Sequence, residues 1–362
     1  MTAMRGVKKG LPGALAAAGL AVAVAACSAP TESEQDTGAE AAGTVTLDNC
    51  GEQVELPAPA ERMLVTDASI AAITLAVDGA ENIGGVTTVS DKDLLTTAYG
   101  EDAEGLNYIT EDVATLETVL GANPDVVFSG WGYGLSDSSG VTPDALAERD
   151  IATYLLSDSC RGDAEEILTT DPWDSLRTDL GNVAQIVGHP EAGDEAVADL
   201  DARLGSLGDA EQPADAPQVL VFDSAADGVF APGGVGAPNA IVEAAGGQNV
   251  LADVEERWTN ASWETLAANP ADAIVFVDYP MYTLSEKIAQ LRENPATRDI
   301  PAVREGRFIN IPYGMWTSGP LNIDAAEIVR KGLESYDLVP SSSIEPGIAV
   351  SDLEVDGNEW AE

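Results

Sequence analysis

Two stretches of this chain carry the same hydrophobic–polar phrase. Residues 115–128 read TLETVLGANPDVVF, and residues 262–276 read SWETLAANPADAIVF. Leu116, Val119 and Leu120 fall at helical spacing in the first copy, as do Trp263 and Leu266 in the second. Asn-Pro then stops the helix, because proline lacks an N–H and restricts the residue before it. An apolar run follows, which suits a strand buried on both faces. In each copy a Glu (Glu117, Glu264) stands eight positions before an Asp (Asp125, Asp272) that opens this run. The copies are too far apart for a solenoid period, so they predict two similar α/β lobes.

The rest of the pattern fills in those lobes. Residues 44–56 alternate like a hairpin around Asn-Cys-Gly. Arg62–Val65 reads as the first core strand, 69–79 as a helix, Asn82–Val86 and Ile151–Leu156 as further strands. Strand–helix alternation argues a parallel sheet. Residues 171–207 differ: two amphipathic helices follow one another with no strand between. The alternation restarts at Gln218–Phe222, then a Gly-rich loop, a helix, the second phrase with its strand at Ile274–Val277, a helix at 284–291, a strand at Arg307–Ile311 and a last helix over 322–335. The expected organisation is an N-terminal lobe at 44–190, an interlobe helix and linker at 191–216, a C-terminal lobe at 217–337, and an acidic tail at 338–362 with little pattern and no expected fixed place. A helical linker holds lobes more rigidly than a Gly/Ser one.

Composition adds to this picture. The chain has 362 residues, 45% of them hydrophobic, enough for two lobes with cores of their own. It holds 17 Lys+Arg against 62 Asp+Glu, a formal charge of -45, which makes nucleic acid a poor partner. Residues 1–26 form a leader: Arg5, Lys8 and Lys9 precede an Ala-rich apolar stretch too short for a confident span, ending in Val24-Ala25-Ala26-Cys27. Small residues directly before a Cys resemble the lipobox of bacterial lipoproteins, with Cys27 as the lipidated first residue. Residues 27–43 cannot bury a core and read as a tether to the membrane. The other two cysteines, Cys50 and Cys160, sit in an exported chain, where a pair is more often a disulfide than two thiols. Two Cys and the single His, His189, show no metal-ligand spacing.

With its lobes and leader in view, the chain resembles the substrate-binding proteins of ABC importers for iron–siderophores, haem and cobalamin. The resemblance covers about residues 44–337. It rests on ordered phrases: ERMLV, TLETVLGANPDVVF, GAPNAIVEAAGGQNV, WTNASWETL and NPATRDIPAVREGRF. The DNCG start and the later DSC look like the actinobacterial branch, which implies a Cys50–Cys160 disulfide. The resemblance implies two doubly wound lobes joined by a long helix, no resident cofactor, and a monomer that reaches the membrane only through its lipid. It also implies an extracytoplasmic location. In this family one Glu on each lobe docks the permease dimer through arginines; Glu117 and Glu264 match.

Family position places the ligand between the lobes, at the C-terminal ends of the strands. It points to Trp131, Phe230, Trp258, Tyr313 and Trp316; Tyr133, Tyr279 and Tyr282 sit in similar loops, and Asp67 and Arg257 are lesser polar candidates. Flat rings suit large chelates, and core packing does not need rings at these places; packing within the loops is the competing role for each. The implied ligand is a ferric siderophore first, then cobalamin or another corrinoid, haem, or a deazaflavin cofactor precursor. The loop Gly233-Gly234-Val235-Gly236 lacks the Lys-Ser/Thr of a P-loop and reads as a turn. An enzyme is the rival class, but no G-x-S-x-G elbow occurs, and His189 precedes a Pro in an expected helix–helix turn. A surface scaffold lipoprotein is a third reading and predicts no interlobe cleft.

Overall fold

A computed structural model of the chain describes residues 43–89, 91–162, 169–279 and 281–361. The leader, Cys27 and all but the last residue of the expected tether lie outside the described residues. The described chain opens on a hairpin of β1 (Gly43–Asn49) and β2 (Glu52–Ala58), paired antiparallel around Cys50-Gly51. Cys50 is disulfide-bonded to Cys160, 110 positions away. Beside it, the Asn49 side chain donates to the Leu155 carbonyl (2.8 Å) and accepts from the Leu155 N–H (2.8 Å). The hairpin is thereby fastened to the end of the first lobe's edge strand.

That lobe runs β3 (Met63–Thr66), α1 (Ala68–Leu75), β4 (Ile83–Thr87), α2 (Lys92–Tyr99), α3 (Glu101–Glu104), β5 (Tyr108–Thr110), α4 (Leu116–Ala122), β6 (Val126–Ser129), α5 (Pro143–Ala147) and β7 (Ala152–Leu155). Its sheet has five parallel strands in the order β5-β4-β3-β6-β7. The chain moves outward from β3 in one direction and then resumes at β6 on the other side, so the topological switch lies between β3 and β6. Two helices follow, α6 (Pro172–Val187) and α7 (Pro190–Asp209), with His189 between them.

The second lobe runs β8 (Gln218–Phe222), β9 (Ser224–Ala225), β10 (Val229–Pro232), α8 (Ala237–Ala244), β11 (Gln248–Asn249), β12 (Trp258–Ala261), α9 (Trp263–Ala268), β13 (Ala273–Asp278), α10 (Leu284–Glu293), α11 (Pro301–Glu305), β14 (Phe308–Pro312) and α12 (Leu321–Ser335). Its parallel sheet has four strands in the order β11-β8-β13-β14, with the same kind of switch between β8 and β13. A separate antiparallel sheet of three strands, β12-β10-β9, was not foreseen from the pattern. Its strands are only two to four residues long and carry no clear alternation.

The repeated phrase is one structural unit used twice. Thr115 caps α4 by accepting from the Thr118 N–H, and Ser262 caps α9 by accepting from the Thr265 N–H. Asp125 then donates its N–H to the Arg62 carbonyl (3.2 Å), while its carboxylate accepts from the N–H groups of Glu61 (2.6 Å) and Arg62 (3.0 Å). Asp272 repeats this on Gln218: its N–H donates to the Gln218 carbonyl (2.7 Å) and its carboxylate accepts the Gln218 N–H (2.9 Å). Each Asp therefore sets the start of one core strand beside the start of the next.

Helix α7 packs along α6 and also meets α12 and α8 of the second lobe. Arg203 of α7 holds Asp324 (2.6 Å) and Glu327 (2.6 and 3.0 Å) of α12, both carboxylates being nearly inaccessible. Burial in α12 extends to Arg330, which bonds Glu334 and the carbonyls of Glu211 and Pro340.

The expectation of a tail without a place is corrected. Residues 338–361 pack on the body: Val339, Ile344, Ile348 and Leu353 are buried. Gly347 donates to Glu327 (3.1 Å), and the Asn358 side chain pairs with both backbone groups of Asn310 in β14 (2.9 and 2.8 Å). The buried residues recur at irregular four- and five-residue spacing, which neither helical nor strand periodicity detects.

Candidate functional site

The two switch points face one cleft. The segment after β14, Tyr313–Gly319, lies against α1 and α2 of the first lobe. A Cβ at Gly319 would stand 3.0 Å from Ser69 Cβ and 3.1 Å from its carbonyl oxygen, so glycine lets the two segments approach more closely than a larger residue would without a small shift. Above that junction is a cavity of about 560 Å³, in the usual range for small-molecule sites. Trp131, Tyr133, Asp158 and Ser159 line it from the first lobe, and Asp223, Phe230, Glu255, Glu256, Arg257, Trp258, Tyr313 and Thr317 from the second.

The aromatic wall is ordered. Phe230 of β10 and Trp258 of β12 stack at 5.2 Å with 21° between planes, because the antiparallel pairing sets their strands side by side. Trp131 carries the Arg161 guanidinium over its ring at 3.6 Å, a cation–π contact. Tyr279 packs edge-on against Tyr313 at 5.1 Å behind the cavity. Burial, reinforced by neighbouring carboxylates such as Asp67, pushes the phenols of Tyr133 and Tyr313 well above their ordinary range, so both stay protonated.

The polar groups span both lobes. Asp158 stands in the turn after β7 and is 1% exposed; its Oδ2 receives the Arg257 guanidinium of the second lobe. Its Oδ1 is buried and finds no hydrogen-bond partner among the described residues. Burial raises the Asp158 carboxyl, and Arg257 opposes that. Asp67 caps α1 by accepting from the Ser69 N–H (3.0 Å) and hydroxyl (2.9 Å), and burial lifts its carboxyl to about 6.

Of the aromatics named from the sequence, Trp131, Tyr133, Phe230, Trp258 and Tyr313 line this cavity, while Tyr279 packs against Tyr313. Trp316 is a correction: it is 1% exposed, in the core, with its indole N–H given to the Ile311 carbonyl (3.3 Å). An indole whose donor is satisfied internally fills core volume and has no surface left for a ligand. Asp158, Asp223, Glu255 and Glu256 were missed, since acids are too common in this chain to stand out by type. Among the described residues no cluster of three or more His, Cys, Asp or Glu is placed to hold a metal ion, and no helix is long and apolar enough to cross a membrane.

A family model described as periplasmic binding protein matches residues 64–313, more than half the chain. The chain belongs to the periplasmic binding protein family. It is therefore a solute-binding transport protein of extracytoplasmic type, not an enzyme. Solved structures of this family share its fold at low identity. A periplasmic binding protein from Veillonella parvula superposes with a TM-score of 0.68 at 18% identity, covering 81% of this chain and 98% of its own. A protein of an ABC-type Fe3+-hydroxamate transport system from Saccharomonospora viridis gives 0.66 at 19%, covering 80% and 98%. A periplasmic haem-binding protein from Pseudomonas aeruginosa gives 0.61 at 20%, covering 80% and 96%. No curated protein sequence matches this binding protein.

Proposed function

We propose that this binding protein captures a ferric siderophore in the interlobe cleft and delivers it to an ABC permease from the outer face of the cell membrane, anchored through lipid on Cys27. The observation that carries the reading is the aromatic-walled cavity of about 560 Å³ shared by both lobes. Stacked rings favour a chelate that presents flat or apolar faces. The solved Fe3+-hydroxamate relative from Saccharomonospora viridis supports that class of ligand. The chemistry of the wall favours a cargo that brings its own iron ligands. The only imidazole, His189, lies between α6 and α7, and the cleft phenols Tyr133 and Tyr313 are held protonated. A haem seeking an axial ligand from the protein would find no imidazole there, and a phenol only by displacing its proton.

Delivery would use the repeated phrase. Glu117 and Glu264 occupy the same place in α4 and α9, the second residue of a side-chain-capped helix, and both are exposed. Val113 and Leu120 beside Glu117 are also exposed, an apolar flank suited to a protein partner. A two-fold permease would meet one carboxylate per half.

The test is a thermal-shift screen of the chain from Gly43 onward with ferric hydroxamates, ferric catecholates, cobalamins, haem and deazaflavin precursors. A ligand that binds only the native state raises the melting temperature. A saturable shift with a ferric siderophore, lost in Trp258→Ala, supports the reading. A shift with another member of the panel replaces the ligand, and no shift with any member rejects the chelate reading.

A further inference from the structure

The charge around the cleft is uneven. Its lining carries the carboxylates of Asp158, Asp223, Glu255 and Glu256 against the single guanidinium of Arg257, which is engaged by Asp158. Glu255 and Glu256 are exposed at the rim and have no ion-pair partner among the described residues. Two other cations stand nearby. Arg161 lies on the Trp131 ring and 3.9 Å from Asp137, with its Nε buried and without a hydrogen-bond partner among the described residues, so it offsets one of the four carboxylates. Lys287, whose charge partly offsets Asp223, gives its ammonium to the Val277 carbonyl from a buried position.

An independent observation has the same sign. Asp158 Oδ1 is a buried acceptor with no partner among the described residues, on a residue that lines the cavity. Such a group is costly unless the ligand brings a donor to it. The Phe230–Trp258 pair is also a surface to which a cation is attracted.

We propose that the cleft selects, among metal chelates of similar shape, those bearing a protonated amine, with Asp158 Oδ1, Asp223 and the Glu255–Glu256 rim as the specificity-determining groups. This inference rests on the chelate reading above. It excludes trianionic catecholate complexes as preferred cargo, because low-dielectric walls strengthen like-charge repulsion.

The test uses one scaffold in three charge states. The ferric complex of desferrioxamine B, a linear trihydroxamate with a terminal amine, is compared with its N-acetylated and N-succinylated forms. Each is titrated against the chain from Ser28 onward by tryptophan fluorescence. Affinity falls roughly 3- to 10-fold on acetylation and again on succinylation. The spread shrinks at about 0.5 M salt. The isosteric variant Asp223→Asn, Glu255→Gln, Glu256→Gln, with unchanged circular dichroism, collapses it.

Equal or reversed affinities overturn the charge inference and leave the chelate reading standing. If none of the three binds, the hydroxamate reading fails and the charge inference is decided separately, by quenching of tryptophan fluorescence with iodide and caesium. Iodide quenching that rises and caesium quenching that falls in the triple variant supports a cation-selecting cleft. Quenching identical in both proteins overturns it.

Discussion

The carboxylate of Asp158 and the guanidinium of Arg257, 99 residues apart in sequence, form an ion pair that joins the two lobes at the wall of the cleft. Breaking it from one side leaves a charge in a place that water barely reaches. Arg257→Ala is expected to destabilise by about 2 kcal/mol, and Asp158→Asn with Arg257→Gln to recover part of the loss. Urea unfolding of the single and double variants measures the coupling, and purely additive losses would show that the pair contributes nothing.

Asp125 and Asp272 each hold the start of a neighbouring strand through backbone N–H groups. Asp125→Ala and Asp272→Ala should each cost about 0.5–1.5 kcal/mol, the net worth of the hydrogen bonds lost, because the Glu61 and Arg62 donors are exposed and the Gln218 donor is part-buried. They share no partner, so the double variant should lose the sum. A double variant no weaker than the worse single would refute the view of two independent clasps.

Asp179 accepts from the Tyr154 hydroxyl (2.8 Å), the Ser157 hydroxyl (2.7 Å) and the Ser157 N–H, and burial lifts its carboxyl from 3.8 to about 7. The native state therefore holds this proton more tightly than the unfolded chain. The stability it contributes is complete below about pH 3.8 and is lost as pH rises through about 7. Between those limits its contribution falls with pH, by up to about 1.4 kcal/mol per unit. Asp179→Asn should remove that slope. Urea midpoints measured across the window check this, and an unchanged slope would locate the proton elsewhere.

Residues 338–361 cover α12 with Val339, Ile344, Ile348 and Leu353. Deleting residues 339–362 should lower the melting temperature by more than about 10 °C, because each of these side chains is worth roughly 1.5–3 kcal/mol when fully buried. Asn358→Ala alone should cost about 1–2 kcal/mol through the two lost bonds to Asn310. A truncated chain that melts with the native one would make the tail an ornament.

Under the proposed function, Glu117→Arg and Glu264→Arg should impair ligand uptake by cells while leaving ligand affinity unchanged. Both side chains are exposed and neither lines the cleft. Uptake and binding measured on the same variants separate docking from capture, and an equal fall in both would withdraw the docking assignment.

What the sequence determined by itself is the local layer. Core strands such as Gln218–Phe222 and Ala273–Asp278, the long helices, and the doubled helix–turn–strand phrase were legible, because their signals are periodicity, proline stops and unbroken apolar runs within a few residues. Of the aromatics named from the sequence, five line the cavity between the lobes and Trp316 lies in the core. Tertiary structure decided the rest. Nothing near Trp316 in the sequence says that the Ile311 carbonyl takes its N–H, and nothing near Asp158 announces Arg257 on the other lobe. The small sheet that stacks Phe230 on Trp258 and the seating of residues 338–361 on α12 depend on neighbours distant in the chain. A side chain's burial, partner and charge are set by what packs against it, and here much of that comes from the opposite lobe or the chain's far end.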